Sequence, residues 1–335
     1  MDDTPYVSTG HLPSPEQVRK SVDEAYEKFR TNTEGERSSV YPALSRVPFD
    51  LFGICAAGTL GGLYAAGDTD YGFTIMSVAK PFVFALACQS LGPDAIRHHL
   101  GVNATGLPFN SLTAVERSPN GRTNPMVNPG AIATASLISG NTPQERWDTL
   151  RTGLSLFAGR DLTLDDEVYA SASATNHRNR ALADLLHTYN LLNCPPPDAV
   201  DLYTRQSCLR ITTTDLATMG ATLANGGVNP ITGTQVIDPP TCHFTLAVMA
   251  TAGLYETSGD WLYDVGVPGK SGIGGGILVI SPGKGALATF APPLDPYGNS
   301  IKGQLAAKHL SRRLGLTLFA STPQTSATRS QRTQQ

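Results

Sequence analysis

The chain has 335 residues, 40% of them hydrophobic, and its 25 basic and 28 acidic side chains leave a formal net charge of −3. A chain of that length buries roughly 75% of its unfolded surface, enough for one large domain or two. So even a charge balance carries no electrostatic footprint for a phosphate backbone or an anionic lipid surface, and neither nucleic acid nor membrane is an expected partner.

The opening Met1-Asp2-Asp3-Thr4-Pro5 is acidic where a secretory leader is basic, and no apolar core follows it; the reading is cytoplasmic. Ser14 can cap a helix, with Pro15 in its first turn, Gln17 completing a capping box, and Val18, Val22, Ala25 and Phe29 along one face. Runs at Phe49–Ala56 and Leu60–Ala66 read as a hairpin. From Ile75 to about Tyr255 the pattern is mostly helical. Its longest apolar run, Pro81–Cys88, is far short of the roughly 20 residues a membrane span needs. Thr212 with Asp215 opens one helix, which Asn225-Gly226-Gly227 closes. Strand character is expected to return only at Gly276–Ser281 and Ala286–Phe290, before a last helix at roughly Gly303–Leu314.

Strands at both ends and helices between imply an α/β fold in which an antiparallel sheet is assembled from both ends of the chain. The division expected is a sheet part, 1–70 with 256–320, a mostly helical part, 71–255, and a disordered tail, 321–335, rich in Ser, Thr, Gln and Arg. Cys55, Cys88, Cys194, Cys208 and Cys242 are odd in number and form no CxxC pair, which suggests buried thiols in a reducing compartment. The seven histidines include no i, i+4 pair beside an acid, so no metal site and no cofactor are expected. A homo-oligomer, dimer or tetramer, is the expected assembly.

Chemistry enters at Ser77-Val78-Ala79-Lys80, at the head of an apolar helix. If that helix begins at Ser77, Lys80 stands one turn on, within reach of the serine hydroxyl. A serine needs a neighbouring base, and a lysine desolvated at the positive end of a helix can be neutral near pH 7 and serve as one. Ser-x-x-Lys alone is weak, and a second copy, Ser281 and Lys284, falls in a turn between strands. The first copy gains weight from Lys270-Ser271-Gly272 just before an apolar strand, because acyl-transfer enzymes of the β-lactamase and penicillin-binding class pair these two patterns.

From about Ser14 to Leu318 the chain then resembles a narrower family, the serine-dependent glutaminases. The resemblance is carried by Asn124-Pro125-Met126-Val127-Asn128-Pro129-Gly130, Asn176-His177-Arg178-Asn179, Leu223-Ala224-Asn225-Gly226-Gly227, Gly253-Leu254-Tyr255, Lys270 to Ile277 and Pro293-Leu294-Asp295. It implies a β-lactamase/transpeptidase-like fold and hydrolysis of L-glutamine to glutamate and ammonia through an acyl-serine. It also implies that Ser77 is the nucleophile, Lys80 its base, and Tyr203 and Tyr255 the tyrosines that relay protons. Asn128 and Asn179 would bind the α-carboxylate and amino end of the substrate, with Tyr41 a further pocket residue and the backbone N–H groups of Ser77 and Ile273 the oxyanion hole. Read alone, the two tyrosines are ordinary half-buried residues and the two asparagines turn or cap residues.

One position departs from the family pattern. The residue seven before the Arg-Asn asparagine is there a glutamate facing the substrate ammonium, and in this chain it is Ala172. An amidohydrolase for another amide, or a weakened glutaminase-like binding protein, is the alternative that this departure implies.

Overall fold

The capping box at Ser14 forms: its hydroxyl accepts the Gln17 N–H at 3.4 Å and Gln17 Oε1 accepts the Ser14 N–H at 3.2 Å. It opens the Pro15–Phe29 helix, which buries Val18, Val22 and Ala25. The computed structural model describes residues 10–320; the tail expected to be disordered, 321–335, lies outside the described residues.

The strands are β1 (Gly53–Gly58), β2 (Leu63–Gly67), β3 (Phe73–Thr74), β4 (Thr163–Leu164), β5 (Leu209–Ile211), β6 (Gly269–Ser271), β7 (Gly276–Ser281) and β8 (Gly285–Phe290). Five of them form one antiparallel sheet in the order β2-β1-β8-β7-β6, drawn from both ends of the chain. In β7, Ile277 and Val279 face the first helix and the Ile301–Leu314 helix, meeting Val18, Val22, Leu310 and Leu314. Leu278 and Ile280 face the helical middle. Successive side chains of a strand point to opposite faces, so covering both faces makes this strand an unbroken apolar run. The Thr213–Ala224 helix, with the Thr212–Asp215 capping box in place, lies against β1, β7 and β8.

Two expectations are corrected. Strand structure returns before Gly276, as β6, and a second small sheet, β3-β5-β4, crosses the helical middle. The helix carrying Lys80 runs Lys80–Leu91, and Ser77 lies in the 3-10 turn Met76–Ala79 that leads into it. Ser281 and Lys284 have structural roles, donating to the carbonyls of Leu316 and Gly315. Among the described residues no helix is long and apolar enough to cross a membrane.

Candidate active site

Ser77 is placed by a strained turn. Met76, immediately before it, takes a left-handed backbone (φ 48°), rare for a residue with a long side chain. β6 runs alongside, and Gly272, next after it, approaches closely: a Cβ there would lie 3.3 Å from the Ser77 nitrogen and 3.1 Å from Val78 Cγ2. Neither the Ser77 N–H nor the Ile273 N–H has a hydrogen-bond acceptor among the described residues. Tyr255 is the second left-handed residue at the site (φ 56°). Its turn is pressed onto β6 at Gly253, where a Cβ would fall 1.8 Å from the Gly269 carbonyl oxygen.

Lys80 is 1% exposed. Its Nζ donates to Asn128 Oδ1 at 2.7 Å and to the Met126 carbonyl at 3.3 Å, and no hydrogen bond joins it to Ser77 in this state. Burial alone brings the Lys80 pKa down to about 7. Lys270, fully buried on β6, is held well below the usual lysine range by burial and then by the charge of Lys80. Its Nζ donates to the Ser271 carbonyl at 2.7 Å and lies 4.3 Å from the centre of the Tyr255 ring.

Tyr203 donates to Asn128 Oδ1 at 3.0 Å, and Tyr255 to the Ser271 carbonyl at 3.3 Å. Burial raises both phenols, Tyr255 to about 12 and Tyr203 well above its ordinary value, while the nearby Ser77 hydroxyl pulls each back a little. Among the described residues the Ser77 hydroxyl makes no hydrogen bond. Asn128 Nδ2 donates to Asn179 Oδ1 at 2.9 Å. Burial raises Tyr41 to about 12, and the Asn179 amide nearby draws it back in part.

Ser77, Tyr41, Asn128, Asn179, Tyr203 and Ile273 line one small cavity of about 110 Å³. A serine, a lysine whose pKa burial lowers to about 7, two free N–H groups and phenols raised by burial together are equipped for nucleophilic acyl transfer.

The family model described as Glutaminase matches residues 35–319. The chain is 63% identical over 320 residues to "Glutaminase 2" of Yersinia pestis, covering 96% of this chain and 94% of that protein. It is 44% identical to "Glutaminase" of Brucella canis, covering 92% and 97%. The chain belongs to the glutaminase family. Two solved structures agree: a "Probable glutaminase ybaS" (TM-score 0.91, 42% identity, 92% of this chain and 100% of that one) and "Mglu in its glutamate form" (TM-score 0.85, 36% identity, 93% and 71%).

As a glutaminase-family amidohydrolase with a β-lactamase-like fold, the chain shows two features at its site that were not read from the sequence. Arg178 and Asn176 also line the cavity, while no Asp or Glu does. Both lie in the Asn176-His177-Arg178-Asn179 run, whose polar density was the signal available. Ala172, 1% exposed, is not among the lining residues; it packs with Met76, Val168 and Cys208, beside Tyr41 and Ile273.

Proposed function

We propose that the chain hydrolyses L-glutamine to L-glutamate and ammonia through an ester on Ser77. The observation that carries this is Lys80, fully buried one turn from Ser77 with its pKa brought down to about 7. As a neutral amine it takes the Ser77 proton while Oγ attacks the amide carbon. The resulting oxyanion meets the free N–H groups of Ser77 and Ile273. Collapse breaks the C–N bond, and ammonia leaves with a proton returned from Lys80 through Tyr203 or Tyr255. Water, deprotonated along the same route, then cleaves the ester and frees glutamate. The glutamate form of one structural relative fits this product.

Asn128, Asn179 and the mouth residue Arg178 are the ligands we assign to the substrate carboxylate, with Tyr41 at the wall. The α-ammonium has no carboxylate partner in the cavity, and the place where one is expected is Ala172. We further read the chain as a cytoplasmic homo-oligomer, whose two parts, 1–70 with 256–320 and 71–255, meet at the site. Ammonia release from glutamine by the wild type and by Ser77→Ala tests the reaction: release by the first alone supports it, and equal release by both refutes it.

A further inference from the structure

We propose that Thr204 and Asn176 set which way round the side-chain amides of Asn179 and Asn128 lie, so that an oxygen faces Lys80. The proposal rests on Lys80 as the base and on the two asparagines as substrate ligands.

The Val200 carbonyl can only accept, and the Thr204 hydroxyl one turn on in the Pro196–Ser207 helix lies 2.6 Å from it, so the single Thr204 hydrogen is committed there. Thr204 Oγ1 can then only accept from its other partner, Asn176 Nδ2, at 2.7 Å. That leaves Asn176 Oδ1 to accept from Asn179 Nδ2 at 2.5 Å. Asn179 Oδ1 is thereby turned toward Asn128 Nδ2, at 2.9 Å, and Asn128 Oδ1 toward both Lys80 Nζ and the Tyr203 hydroxyl, at 2.7 and 3.0 Å.

Every donor in this series points the same way, and turning any one amide over sets like against like at both its ends. Thr204, Asn176, Asn179 and Asn128 are 3 to 8% exposed, so solvent cannot mend a reversed link. In the observed order Asn128 keeps a second N–H, the group a carboxylate requires. Thr204 does not line the substrate cavity; it lines a separate cavity of about 400 Å³, with Asn176 common to both. Thr204 and Asn176 are therefore positioning residues.

The groups around Lys80 are Lys270 from β6, Tyr203 from the Pro196–Ser207 helix, and Asn128 with the Met126 carbonyl, with Tyr255 and Ser77 next to Tyr203; no carboxylate shifts it. Thr204→Val removes the hydroxyl while leaving the charges unchanged, so a change in Lys80 titration reports the Asn128 amide. The experiment uses the full chain as wild type, Thr204→Val and Thr204→Ser. It reads KM and kcat for glutamine and titrates Lys80 by NMR with isotope-labelled lysine.

Thr204→Val is expected to raise KM about 5- to 150-fold, with a smaller change in kcat. It moves the Lys80 titration to lower pH, because an amide N–H₂ turned toward the ammonium disfavours its charge; Thr204→Ser restores both. Asn176→Ala cuts the next link, shifts Lys80 in the same direction, and serves if Thr204→Val does not fold. A Thr204→Val protein with wild-type KM and wild-type Lys80 titration overturns the proposal, as does a Thr204→Ser protein equally impaired. If the unaltered chain releases no ammonia from glutamine, the functional reading falls instead, and the Lys80 titration still decides this one.

Discussion

Lys80 Nζ stands 2.7 Å from the side-chain oxygen of Asn128, so the base we propose for Ser77 rests against an amide of the cavity wall. If Lys80 acts as proposed, its pKa of about 7 sets the pH dependence of the reaction. In the proposed reaction the neutral amine is the active form, and its share grows as pH rises through 7. The kcat/KM profile should show an acid limb centred near pH 7, and Tyr41 and Tyr255, both raised to about 12, should add no alkaline limb below about pH 10. Lys80→Met should lower kcat by about 10² to 10⁴. A profile flat from about pH 5 to 9, or an unimpaired Lys80→Met enzyme, contradicts this.

The same burial makes Lys80 a cost to stability. Its folded pKa of about 7 lies below the ordinary value of 10.5, so between those limits the unfolded chain binds more protons, and stability rises with pH across that window. Below pH 7 the full cost is present, on the order of several kcal/mol. Lys80→Met should therefore melt at a higher temperature than the wild type at pH 7, with the gap closing toward about pH 10. Thermal unfolding at several pH values checks this, and a gap that does not change with pH would count against a buried, partly neutral lysine.

What the sequence made legible follows the range of the interactions. Ser14 with Gln17 and Thr212 with Asp215 are capping boxes three residues across, and both are present. β7 and β8 are apolar runs bounded by a Pro-Gly turn, and their limits lie within a residue of expectation. The strands of the small sheet have two or three residues, too few to show a period, and they exist through pairing with residues far along the chain. The left-handed turns at Met76 and Tyr255 have no local signal either, because tertiary packing imposes them. Ser77 and Lys80 were readable as a motif. That Lys80 meets Asn128 was not, since 48 positions separate them.

Ala172 offers a test of substrate recognition. With no Asp or Glu lining the cavity, KM for glutamine should be high. A charge-assisted hydrogen bond to the ammonium contributes about 1.5 to 3 kcal/mol, or roughly 10- to 150-fold in affinity. Ala172→Glu should lower KM for glutamine by about that factor and do little for the same amide without its α-amino group. Ala172 packs beneath Met76, beside Tyr41 and Ile273, so in the absence of substrate the added carboxylate should lower the melting temperature. Steady-state kinetics with both amides checks this; an unchanged KM for glutamine would show that position 172 does not reach the ammonium.

The central claim is a covalent one, that the glutamyl group passes through an ester on Ser77. Rapid acid quenching of the enzyme during turnover of glutamine, followed by peptide mass spectrometry, measures it directly. The account predicts a glutamyl adduct on the peptide containing Ser77 and none in Ser77→Ala, which should also release no ammonia. Turnover of glutamine by Ser77→Ala at the wild-type rate, or an adduct on another residue, would contradict it.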